Sequence, residues 1–458
     1  MEATKENTKA LTAMGASSVS ASAARRGGHG TAEHYFAGIV CLFGFFLHIV
    51  LSDLLLNSVG FHYSSTEGAF YEKIHPGTYF IVASFFVMLG DQGNPFNEFW
   101  RALRCSRIAM FLLLLYIMLF VYLVLRSGPA GTAFMIDTHM TVPICAVVLA
   151  TAPKDFCRRA IYFFVFVAFL NSVIGIGESI AQSRIFEFSE DAPGIREQHF
   201  RASALRGHPL NNAMFTSIAL FVMLGLRFKP FLTWVLAAIF MVSLVAFGGR
   251  AGLGFTVFGV TLFAAVRVKD MVSRGRMSML QALLLVAAII LVPAILVAGL
   301  NFLILHSSIG ERLAASSITD DSADSRRLAL MVFDFMRSHE IIFGVAPERI
   351  VDIAYRMNLM IPLSDIENPW LLMFMYLGGL MFPFWLLMTG VFVWDLMRGK
   401  PMALQLAVVS YFLVASTSNS FGRKDSTYLI MVCAVICAAR ALAYEAENAA
   451  ARQQAGQG

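Results

Sequence analysis

The chain alternates long apolar stretches with short polar connections, a pattern with the length scale of bilayer-crossing helices, about 20 residues each. Apolar runs occur at roughly 36–57, 75–90, 106–126, 133–151, 160–180, 209–226, 230–247, 251–267, 279–305, 369–394, 402–418 and 426–443. About twelve transmembrane helices are therefore expected. Two connections are much longer than the others, about 181–208 and 306–368. In the second, Leu328, Met331, Val332, Phe335 and Met336 recur at helical spacing, which predicts an amphipathic helix of about four turns ending before Gly344. Asn368 followed by Pro369 marks the start of the next span, because Asn caps helices well and proline's fixed φ suits the first turn.

Composition fixes the class. Of 458 residues, 58% are hydrophobic and 14% charged, and the mean hydropathy is +0.68, so the expected fold is an all-α polytopic membrane protein. Residues 1–34 are polar, rich in Ser, Ala, Thr, Lys and Gly, with no apolar core of their own. They read as a disordered cytoplasmic tail and not as a signal peptide. A membrane domain over 35–445 and a second cytoplasmic tail at 446–458 complete the expected organisation.

Charge orients the chain, since Lys and Arg are retained in the cytoplasm during insertion. Alternate connections carry Arg101 and Arg104; Lys154, Arg158 and Arg159; Arg227 and Lys229; Arg267, Lys269, Arg274 and Arg276; and Arg398 and Lys400. Those loops are expected inside, together with both termini, and the connections at 181–208 and 306–368 outside. The six cysteines lie in or beside spans and read as small apolar residues. No P-loop, dinucleotide fingerprint, zinc signature or convincing internal repeat is present.

Against that topology, Arg201, Arg206, Arg250, Arg326 and Arg327 fall on the side that should be poor in positive charge. An anion on that side would account for them, and guanidinium groups bind phosphate bidentately. Each also has a plainer reading. Arg206 and Arg201 could pair with Glu187, Glu190, Asp191 and Glu197 of their own loop, Arg250 could snorkel to headgroups, and Asp320, Asp321 and Asp324 could neutralise Arg326 and Arg327. Glu367, at a helix start just outside the membrane, could serve only as a cap.

Three segments, in this order, resemble the O-antigen polymerase and O-antigen ligase family of bacterial envelope glycosyltransferases. Arg201-Ala-Ser-x-x-x-Gly207-His208-Pro209 is similar to that family's arginine followed by a turn entering a span. Gly249-Arg250-Ala251-Gly252-Leu253 is similar to its Ser-Arg-small-small element. Ser325-Arg326-Arg327-Leu328, Phe343-Gly344, Glu367-Asn368-x-Trp370-Leu371 and Leu377-Gly378-Gly379-Leu380 follow in the family's order. The resemblance covers roughly 185–395. Gly249 replaces a usual Ser, Leu210 a usual Asn, and Glu367 stands where ligases usually carry His, which favours an exopolysaccharide polymerase.

The resemblance implies a GT-C-like membrane fold with amphipathic helices in its large outer loop, at the bacterial inner membrane. The implied reaction is inverting transfer of a glycan from an undecaprenyl-diphosphate-linked oligosaccharide to an acceptor hydroxyl. Under it, Arg201 and Arg250 are catalytic cations and Glu367 the base, with Arg206, His208, Arg326, Arg327 and Asn368 binding substrate and His339 in reserve. No metal or cofactor is expected, and no nucleic acid; the partners are the lipid-linked substrate, membrane lipid, and polysaccharide chain-length regulator or export proteins. Three alternatives stay open. One is a ligase, another a lipid-linked oligosaccharide flippase using polar membrane residues such as His48, Asp53, Asp137, His139 and Glu178, and the third a non-catalytic subunit of a polysaccharide synthase.

Overall fold

The computed structural model describes residues 35–63, 68–90, 93–129, 131–185, 200–275, 278, 280–281, 287, 329–360, 366, 368–417 and 423–455. The described residues are helical, with no strand among them. In chain order the helices are α1 (Tyr35–Val50), α2 (Asp53–Ser58), α3 (Pro76–Gly90), α4 (Pro95–Cys105), α5 (Arg107–Ser127) and α6 (Met135–Thr151). They continue with α7 (Lys154–Ala181), α8 (Pro209–Gly225), α9 (Pro230–Ala246), α10 (Arg250–Ser273), α11 (Ser338–Phe343) and α12 (Pro347–Met360). Last come α13 (Pro369–Met397), α14 (Met402–Ala415) and α15 (Thr427–Ala455). Among them α5, α7, α10, α13 and α15 are long and apolar enough to cross a membrane unaided, while α1, α3, α6, α8, α9 and α14 are apolar but shorter. This is a helical membrane protein. The apolar run at 279–305 lies mostly outside the described residues.

α15 is the most enclosed of the five long helices and packs on α6, α7, α8 and α14. Its lower half is polar and gathers charges that the sequence assigns to separate loops. Arg158 and Arg227 approach Glu445 at 3.5 and 3.9 Å, and Lys154 pairs with Glu447. Arg440 donates to the carbonyls of Ala150 (2.7 Å) and Ala152, capping the end of α6. These contacts place the 152–158 and 226–229 connections and the C-terminus at one end of the bundle, here termed the basic end.

The structure corrects several expectations. The first apolar run is not one helix: it stops at Leu51, and Ser52, accepting from the Leu55 N–H at 3.3 Å, starts α2 in a new direction. The expected tail at 446–458 is helical through 455, and its Glu447 pairs with Lys154. The four-turn amphipathic helix is broken. Residues 329–331 form a 3₁₀ turn, Val332–Phe335 a single turn, and Met336 and Arg337 are extended. The break has a local cause: the Glu340 carboxylate accepts the Arg337 N–H at 2.7 Å, starting α11 afresh. The amphipathic helix of this region is instead α12, opened by Pro347.

Two glycine crossings set the geometry. Gly44 of α1 and Gly77 of α3 meet backbone to backbone, and a Cβ on either would lie about 2.5 Å from the other's carbonyl oxygen. At the other crossing, Gly344 (φ +84°) lies against a kink in α13 at Gly378 (φ +67°), where a Cβ would fall 2.3 Å from the Gly344 nitrogen. Val345 N–H donates to Met375 C=O across this contact, and Arg126 binds the carbonyls of Phe343, Val345 and Tyr376. The Phe343-Gly344 and Leu377-Gly378 elements are thus one joint.

Candidate functional site

At the end of the bundle opposite the basic end, polar side chains from six segments converge on a cleft with about 380 Å³ of empty space, part of it open to the surface. The Gly44–Gly77 crossing brings the end of α1 onto α3, so His48, one turn after Gly44, bonds Thr78 Oγ1 (3.1 Å) and stacks on His75, ring centres 3.9 Å apart. His75 accepts the Gly77 N–H through Nδ1 (3.0 Å) and contacts the Leu51 carbonyl through Nε2 (2.9 Å), which assigns it the Nε2–H tautomer.

Asp137 lies behind this pair on the π-helical first turn of α6. It accepts from Thr78 Oγ1 (2.7 Å), Tyr63 OH (2.9 Å) and His75 N–H (3.1 Å). A buried carboxylate so fully bonded ties α3, α6 and the 61–63 segment together.

The loop from 200 to 208 closes the other side. Glu178 of α7 accepts the N–H groups of Ile185 (2.9 Å), Ser203 and Ala204 (2.8 Å each), and Asn171 accepts that of Leu205 (3.1 Å). Ala204 is thereby held at φ +39°. Asn212 of α8 binds the Ser203 and His208 carbonyls. Gly207 (φ +69°) packs against Ser52 and Leu54, where a Cβ would meet Ser52 Oγ at 3.0 Å. Glu178 therefore shapes this loop, which gives it a role other than lining a transport path.

The loop delivers Arg206, 6% exposed, into the cleft. Its guanidinium donates to His48 C=O at the end of α1 (3.0 Å) and to Ser426 Oγ (3.0 Å), and lies 3.5 Å from Asp425. Its Nε has no hydrogen-bond partner among the described residues. Asp425 is held by the Thr427 N–H (2.9 Å) and hydroxyl at the start of α15. Beside it, Lys424 donates to Tyr63 C=O and rests 4.4 Å from the Tyr63 ring centre. Desolvation lowers Lys424 to about 8, with Asp137 opposing that shift.

The structure treats the sequence-derived residues unequally. Arg206 is central to the cleft, and its partner is Asp425; the loop acids Glu187, Glu190, Asp191 and Glu197 lie outside the described residues. Arg201, half-buried, begins the same loop, and the Ala202 N–H bonds the Ala246 carbonyl at 3.2 Å. That bond brings the Arg201 backbone to the end of α9, four residues before Arg250, which is exposed on the first turn of α10. His208 and Asn368 are helix caps, accepting the Leu210 (3.3 Å) and Leu371 (3.1 Å) N–H groups. Glu367, Arg326 and Arg327 lie outside the described residues. His339 is on α11, in the segment attached to the Gly344 joint.

Sequence reasoning missed Lys424, Asp425, Tyr63 and His75. A signal existed: Arg423 and Lys424 separate two apolar runs on the expected outer side, the same anomaly that singles out Arg250. His48, Asp53 and Asp137 were legible as polar membrane residues, and the structure brings all three to this cluster. No protein-family model matches this chain, and a search of curated proteins finds no match.

Proposed function

We propose that this protein is a bacterial inner-membrane glycosyltransferase of about twelve spans, GT-C-like in plan. It polymerises undecaprenyl-diphosphate-linked repeat units at the outer face, with inversion at the anomeric carbon. The observation that supports this most is the placement of Arg206 in a polar cleft, on a loop whose first residues abut the end of α9, four residues before Arg250. A diphosphate leaving group needs fixed cations where its charge develops, and preorganised guanidinium groups supply them without reorganisation. Arg201 and Arg250 are the cations proposed for that role, since they stand where the family that the chain resembles carries its arginines. The exposed Arg250 stands at the mouth of the bundle, where a lipid-linked phosphate would lie.

One observation favours transport instead: the cleft is lined by two basic side chains, Arg206 and Lys424, and two acidic ones, Asp53 and Asp425, near buried polar residues. The two readings separate in one assay. Purified protein incubated with its lipid-linked repeat unit, and no nucleotide sugar, should yield longer lipid-linked chains. Arg201→Ala and Arg250→Ala should each slow this by about 100- to 1000-fold, and Lys should restore little. Unchanged substrate with wild-type protein would remove the polymerase reading.

A further inference from the structure

Among the described carboxylates of the cleft, Asp53 stands apart. Asp137 accepts from three groups, and Asp425 is bound by Thr427 and faces Arg206. Asp53 accepts only the N–H of its neighbour Leu54, at 3.0 Å, and no cation among the described residues lies within ion-pair distance. It is exposed, lines the cleft with Arg206 and Lys424, and is flanked by Ser52 and Leu54, the residues that Gly207 packs against. The fold therefore presents an available carboxylate directly beside the arginine loop.

We propose that Asp53 is the general base of the transfer, an inference that rests on the glycosyl-transfer reading above. The proton of the acceptor hydroxyl passes to the Asp53 carboxylate as the oxygen lone pair forms the bond to the anomeric carbon. The bond from that carbon to the phosphate oxygen breaks, and its electron pair leaves with the diphosphate. Protonated Asp53, open at the cleft mouth, then returns the proton to water. The cleft's balanced charge suits a neutral sugar, whose hydroxyls both donate and accept, better than it suits a second anion.

The test uses the purified full chain and the undecaprenyl-diphosphate-linked repeat unit, comparing wild type, Asp53→Asn, Asp53→Glu and Glu367→Gln for turnover, donor binding and thermal stability. Asp53→Asn should bind donor and melt as wild type does, yet turn over about 100-fold more slowly. Asp53→Glu should recover part of the rate, with the acid limb of the pH profile displaced; a structural role for the residue would not move that limb. Arg206, Asp425, Lys424, His75 and Tyr63 face Asp53, and their substitution is not needed for this comparison. Normal turnover in Asp53→Asn overturns the assignment, as does a loss confined to Glu367→Gln. A wild-type protein that lengthens nothing removes the polymerase reading itself, and the base with it.

Discussion

Arg206 joins parts of the chain that are distant in sequence, bonding His48 and Ser426, 158 and 220 residues away. Its neighbour Lys424 offers the clearer experiment. A lysine lowered to about 8 from 10.5 carries its proton less readily in the folded protein than in the unfolded chain. Between those values the unfolded state binds more protons, so folding stability rises with pH there; below about 8 the cost of holding the charge is fully present. The melting temperature of detergent-solubilised wild type should therefore gain on that of Lys424→Met between pH 8 and 10.5. Parallel profiles would show that the amine is better solvated than its surroundings indicate. Arg206 is legible in the sequence as a cation on the wrong side of a membrane; Asp425 is not, because a lone acid in a short connection has no pattern to betray it. Only the fold shows that the two meet.

At the scale of elements, hydropathy finds helices well and their interruptions poorly. An apolar count cannot register the turn at Ser52 or the kink at Gly378, since the residues on both sides remain apolar. The broken helix around Met336 is hidden for a related reason: helical spacing persists across it, while a single carboxylate, Glu340, decides the outcome. The Gly344–Gly378 joint is the strictest of these features. Gly378→Ala places a Cβ against the Gly344 nitrogen at φ +67° and ψ +173°, a region essentially reserved for glycine, combining a backbone cost of about 1–3 kcal/mol with a steric clash. Arg126→Met removes the guanidinium bonds to the Val345 and Tyr376 carbonyls and leaves Phe343 only its bond from Tyr122 OH. Both variants should melt several degrees lower in detergent, and Gly379→Ala, where the nearest atom is 3.4 Å away, should be close to neutral. Equal melting of Gly378→Ala and Gly379→Ala would show that the joint is not tight.

For the whole molecule, the charge pattern proved to be spatially coherent. Arginines assigned to separate loops, Arg158 and Arg227, meet on Glu445 at one end, while the cleft occupies the other. Which end faces the cytoplasm is a prediction of the positive-inside rule. Cys105 is exposed near the basic end and Ser58 is exposed near the cleft. In spheroplasts, an impermeant thiol reagent should label Ser58→Cys at once and Cys105 only after lysis. The opposite order would invert the molecule.

α15 carries Asp425 and Lys424 just ahead of its first turn and Glu445 in its lower half, with its middle clasped by α6, α7, α8 and α14. It is in effect the keel of the molecule. A wall fastened to a keel does not swing, so any widening of the cleft to admit a bulky guest has to come from the opposite flank. There the boundary is α2, only six residues long, and a loop whose backbone is held by the side chains of Glu178, Asn171 and Asn212. That flank is the hatch, and those side chains are its latch.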